Sequence, residues 1–152
     1  MSAETRSIHA TAVLAGAHAL LIQGPAGSGK SRLAAALIEA AQPGRLNFAR
    51  LVGDDRVLVE STHGRLLARP VPSLTGLIEV RGLGIRRVPY EPVAVVGAVA
   101  ELSAGDGARL PEAKGTEVVI QGVRLPRLAV AAGVDPLPIV LAYLLTDAAP
   151  GP

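Results

Sequence analysis

The apolar positions of this chain fall into short runs whose spacing changes along its length. Residues 9–14 ("HATAVL") read as a short strand that ends at Gly16. Residues 17–23 ("AHALLIQ") are apolar almost throughout, the pattern of a strand covered on both faces, and the run stops at Gly24. Residues 31–41 then place Leu33, Leu37 and Ile38 at helical spacing among strong helix formers, with Pro43-Gly44 as the stop. Beyond Phe48 the period becomes that of strands. "FARLV" leads into Gly53-Asp54-Asp55, and residues 57–69 read as a hairpin turning at His63-Gly64. "EVRGLGIRRV" fits neither a strand nor a helix cleanly, whereas "VAVVGAVAEL" predicts a long apolar strand. A polar loop, "AGDGARLPEAKGTEV", separates it from the strands "EVVIQ" and "RLPRLAV". "DPLPIVLAYLLT" predicts a C-terminal helix with its prolines in the first turn, and residues 146–152 a flexible tail.

One strand-helix unit followed by many strands predicts an α/β fold, a P-loop-containing mixed β-sheet with flanking helices, in which residues 1–152 form a single domain. Composition narrows the partners. Aromatic residues are 2% of the chain, and Phe48, Tyr90 and Tyr143 are all of them. A single-stranded nucleic-acid groove needs stacking rings, so that class is excluded. The formal charge of +2 is too small to imply a nucleic-acid or membrane partner. With no cysteine there is no disulfide, thiolate metal site or thiol nucleophile. The start lacks a basic, apolar secretory leader, no apolar run spans a bilayer, and the expected location is the cytoplasm.

The strongest chemical signal is "GPAGSGKS". Gly24, Gly29, Lys30 and Ser31 satisfy the spacing G-x-x-x-x-G-K-[ST], with an apolar run before it and a helical pattern after it. Residues Gly24, Pro25, Ala26, Gly27, Ser28, Gly29, Lys30 and Ser31 are the expected nucleotide-binding loop. Its glycines let successive N–H groups point into one concavity, Lys30 neutralises phosphate oxygens, and the Ser31 hydroxyl suits Mg²⁺. Such a loop needs an acidic partner, and "LVGDDRV" supplies Asp54 and Asp55; the same pair could instead open a hairpin by an Asx turn. "IEVRGLGIRR" brings Glu79 as a candidate metal ligand and Arg81 beside two glycines, against the alternative of an arginine-bearing surface loop. Arg86, Arg87 and Tyr90 in the same stretch either meet a partner or are simply solvated.

Together, "HATAVLAGAHALLIQGPAGSGKS", "LVGDDRV" and "IEVRGLGI" resemble the catalytic domain of the bacterial HPr kinase/phosphorylase family, in its short single-domain form. The resemblance implies transfer of a phosphoryl group from ATP (or pyrophosphate) to a serine of an HPr-like phosphocarrier protein. It implies Asp54 as proton acceptor, and His9, Lys30 and Arg109 as further catalytic residues. Mg²⁺ would be held by Ser31 and Glu79, with Asp55 as an added metal residue. The segment between Lys30 and Asp54 is longer than the family's usual one. Where the family carries a basic Gly-Arg loop linked to dephosphorylation, this chain reads Gly133-Val134-Asp135, so the kinase half is the expected activity. The family's hexamer rests partly on C-terminal helices, which leaves a homo-oligomer open. Two other classes remain open. One is a small-molecule P-loop kinase, which usually has an arginine-rich lid. The other is a nucleotide-sensing module with little turnover. A GTPase is disfavoured, since no Asn-Lys-x-Asp occurs.

Overall fold

The computed structural model describes residues 4–41, 46, 48–107 and 113–146. A short strand not predicted, β1 (Arg6–Ile8), comes first; the predicted first strand, residues 9–14, is β2 (Thr11–Ala15), with His9 and Ala10 at the break between them. β3 (His18–Gln23) follows by a tight turn, and α1 runs over Lys30–Ala40. Pro43-Gly44, the expected helix stop, lies outside the described residues. β4 (Ala49–Gly53), β5 (Val57–Thr62) and β6 (Arg65–Pro70) come next, β5 and β6 joined at His63-Gly64, where both residues take positive φ. This is the predicted hairpin, with the backbone twist that two-residue turns favour.

The segment that fitted no regular pattern is a second, smaller hairpin of β7 (Leu77–Val80) and β8 (Gly84–Arg87). Its strands are four residues each and its turn glycines, Gly82 and Gly84, sit at φ 83° and 100°, so no alternation long enough to read survives. β9 (Ala94–Leu102) is the long apolar strand, β10 (Glu117–Ile120) and β11 (Val123–Val130) form a hairpin, and α2 (Pro136–Leu145) closes the described chain. Asp135 caps α2, its carboxylate accepting from the Leu137 N–H at 3.1 Å.

The sheet is mixed and curled. Its order is β1-β5-β6-β9-β3-β2-β4, with β11 also on β9 and β10 beyond it. β3 runs parallel to β9 and antiparallel to β2, so it is an interior strand. Alternate β3 residues enter two separate cores, which explains the unbroken apolar run. Leu20 and Ile22 meet Leu33 and Leu37 of α1 and Val140 and Leu141 of α2. Ala19 and Leu21 meet Val57, Val59 and Leu66 on the other face. α1 buries Lys30, Leu33, Ala34 and Leu37, one face of a helix. The β3–β9 register shifts at Gly97, a bulge. A Cβ there would come within 2.6 Å of His18 Cβ, so the bulge requires glycine. Among the described residues, no helix is long and apolar enough to cross a membrane.

Candidate functional site

The loop after β3 arrives at the end of an interior strand, where the sheet holds it on both sides. Gly24 has φ 152°, and a Cβ on it would meet Ser28 Oγ at 2.7 Å and the Leu102 carbonyl at 3.0 Å. The chain can therefore turn tightly against the end of β9 only with glycine at this position. Ser28 N–H closes the turn on the Pro25 carbonyl at 3.1 Å. Gly29, at φ 101°, precedes α1 without any side-chain cap. An uncapped helix start directs N–H groups and the positive end of the helix dipole at whatever lies in front of it. Lys30 is buried, its Nζ donating to the Gly24 and Pro25 carbonyls at 2.9 and 3.2 Å. The Ser28 hydroxyl is buried and has no hydrogen-bond partner among the described residues. An uncapped helix start, an ammonium held on carbonyls and an orphan hydroxyl suit an anion rich in acceptor oxygens.

Asp54 follows directly on β4 and is buried. Its Oδ1 accepts from Ser31 Oγ at 2.6 Å and from Thr11 Oγ1 at 2.8 Å, and its Oδ2 accepts from the Glu79 N–H at 3.0 Å. One carboxylate thus joins α1, β2 and β7. Thr11 also accepts from the Asp55 N–H at 3.2 Å, fixing both aspartates to β2. Sequence reasoning passes over Thr11. Its signal was a lone hydroxyl residue in an otherwise apolar run, and the structure buries it fully.

Asp55 faces the other way. It has φ 67°, and the Arg56 N–H reaches back to the Asp54 carbonyl at 2.7 Å, a γ-turn that few residues accept. Its side chain is 70% exposed, and its Oδ1 accepts from His9 Nε2 at 3.0 Å. A carboxylate only accepts here, so that nitrogen carries the proton. The break between β1 and β2 is what brings His9 to this position.

Of the residues read from sequence, the fold brings Lys30, Ser31, Asp54 and the backbone of Glu79 together, and sets the His9–Asp55 pair beside them. The Glu79 side chain is exposed while Ile78 fills the core, as strand alternation requires. Among the described residues no three His, Asp or Glu side chains converge as a metal cage. The oxygens that do meet are Ser31 Oγ and the Asp54 carboxylate, a small set of hard donors of the kind compatible with Mg²⁺, which keeps water and substrate phosphate oxygens beside one or two protein oxygens. Arg109 lies outside the described residues. Arg127 of β11 forms a forked pair with Asp106 at 2.7 and 2.9 Å and donates to the Gly115 carbonyl at 3.0 Å. The guanidinium holds the Asp106 carboxyl below its usual range, and the carboxylate raises Arg127 in turn.

The chain is similar to several known proteins. The chain is 38% identical over 85 residues to an HPr kinase/phosphorylase of Clostridium beijerinckii, covering 56% of this chain and 26% of that protein. It is 39% identical over 84 residues to one of Streptococcus thermophilus, covering 55% and 25%. The matches therefore span about a quarter of those relatives. The solved HPr(Ser) kinase/phosphatase from Coxiella burnetii superposes with a TM-score of 0.72 at 22% identity, covering 91% of this chain and 93% of that one. This likeness establishes the mixed α/β fold with its curled sheet. The model of the HPr serine kinase C-terminal domain matches residues 1–90, more than half of the chain, a span that includes His9, residues 24–31, Asp54, Asp55 and Glu79. The chain belongs to the HPr serine kinase C-terminal domain family.

Proposed function

We propose that this chain is an ATP-dependent protein-serine kinase whose acceptor is an HPr-like phosphocarrier. The observation that carries the reading is the Ser31–Asp54 hydrogen bond at an uncapped helix start, beside buried Lys30. The loop at residues 24–31 would hold the donor's phosphates, with Lys30 against the terminal ones. Ser31 and Glu79 would hold Mg²⁺, which when bound offsets charge between the phosphates.

The two aspartates divide the work differently from the sequence expectation. Asp54 has both carboxylate oxygens engaged by three donors, so its role is to position Ser31 and β7. Asp55 is exposed, and its Oδ2 has no partner among the described residues. It is the better candidate to take the proton of an incoming serine hydroxyl while its oxygen bonds the donor's terminal phosphorus and ADP leaves. His9 would hold that carboxylate in place. The dephosphorylation named for the relatives is not part of this proposal.

Incubation with labelled ATP, Mg²⁺ and an HPr-type protein tests the reading. Label on a serine is expected in the parent protein. Asp55→Asn should lower the rate about 10²–10⁴-fold, the usual worth of a general base, while ATP still binds. No labelled serine despite ATP binding would point to the small-molecule kinase or the sensing module.

A further inference from the structure

On one side β9 pairs with β3, and on the other it has two neighbours in turn. Ala94 and Val95 pair with β6, whereas Val99–Leu102 pair with β11. β6 and β11 therefore part beside residues 96–98, and a cleft of about 490 Å³ opens there. Its floor includes Leu66, Val96 and Leu125, all buried in the second core. Glycine keeps it open: Gly64 and Gly97 line it, and His18 packs over Gly97 where a Cβ would collide with it. The rim is basic. His18 comes from β3, Arg65 from β6 and Arg124 from β11, and all three are exposed. No acidic side chain lines the cleft among the described residues. Arg65 has no ion-pair partner among them either. Arg124 has one, Glu117 at 3.4 Å, with both side chains more than half exposed. Such a pair is worth little and leaves the guanidinium open to a second acceptor.

We propose that this cleft binds a small aliphatic dicarboxylate, with one acid group on each arginine. The rim charge calls for an anion. Two guanidinium forks, on the two strands that part, call for two planar acid groups. The floor decides what joins them. It is hydrocarbon, so methylene groups gain by burial there, whereas a polyol phosphate would lose the hydrogen bonds that its hydroxyls make in water. His18 adds a ring N–H at a third side of the rim. The cleft is separate from the loop at residues 24–31. β3 begins at the cleft with His18 and ends before the loop with Gln23, a strand length of about 16 Å. The proposal therefore stands whether or not that loop holds phosphate.

Amide spectra of the isotope-labelled chain, titrated with glutarate at fixed ionic strength, test it. Glutarate should shift Gly64, Gly97 and Leu125, leave residues 24–31 in place, and saturate with a Kd of about 1 mM or below. Acetate, with one acid group, should bind at least about tenfold more weakly. Arg65→Gln and Arg124→Gln, both at exposed positions, should each weaken glutarate at least about fivefold while the rest of the spectrum stays that of the parent. Arg86→Gln, an exposed arginine on β8, should leave the affinity within about twofold. Shifts that do not saturate, acetate binding as tightly as glutarate, or full affinity in both cleft variants would overturn the proposal. Inorganic phosphate moving the cleft amides at the same concentrations would overturn the choice of a carboxylate.

Discussion

Asp54 and Asp55 are neighbours in the chain with opposite surroundings, and their variants should fail differently. Asp54→Asn puts an amide where three donors converge, leaving at least one buried donor without an acceptor. It should cost about 1–3 kcal/mol of stability and weaken ATP binding, seen as an earlier urea midpoint and a poorer titration. Asp55→Asn sits on the surface, so its urea midpoint should stay within about 0.5 kcal/mol of the parent while the serine-labelling rate collapses. The reverse pattern would return the proton to Asp54. Sequence carried both residues but not the difference between them, because a γ-turn and a buried threonine decide which carboxylate points inward. Gly24 belongs to the same scale. Gly24→Ala drives a methyl into the Ser28 hydroxyl and the Leu102 carbonyl. It should cost about 1–3 kcal/mol through overpacking and lower ATP affinity at least about tenfold, checked by thermal melting and titration.

Between residues and fold, the elements differ in how openly their sequences announce them. β3 was legible as an unbroken apolar run, α1 by its helical spacing, and the glycine loop marks where one becomes the other. The β7–β8 hairpin was not, since arginines and glycines hide its alternation, and what fixes it is remote. Its base closes through the Val88 N–H on the Gly76 carbonyl at 2.8 Å, and its first strand hangs on Asp54 by the Glu79 N–H. The β9–β11 edge has its own electrostatic latch in Arg127 and Asp106. Asp106 is held below its usual range in the fold, so an unfolded or opened chain takes up the proton first. The latch contributes fully above about pH 4, the ordinary aspartate value, and fades as pH falls through the depressed one. The exchange protection of Gly107 and Val130, with the intrinsic pH dependence of amide exchange divided out, should therefore fall below about pH 4 at fixed ionic strength, and Asp106→Asn should abolish that dependence. An unchanged acid profile in the variant would assign the transition elsewhere.

At the scale of the molecule, the α/β class and the place of the glycine-rich loop followed from a strand-helix unit ahead of many strands. The curl of the sheet and the strand order did not, because pairing partners are far apart in sequence and their alternation names no neighbour. The central position of β9 has a consequence for inheritance. Residues 1–90 carry the family likeness and nearly all of the candidate site, yet β3, which ends in the glycine-rich loop, leans on residues 96–101. β6 reaches the rest of the sheet through the same strand. A chain ended at residue 90 should therefore keep the motifs and lose the architecture, giving no cooperative melt and no ATP binding. A folded, nucleotide-binding fragment would contradict this. The recognisable words of the sequence and the physical support for them thus lie in different halves of the chain. Drift in β9 should be felt first as loss of a loop with which it shares no motif.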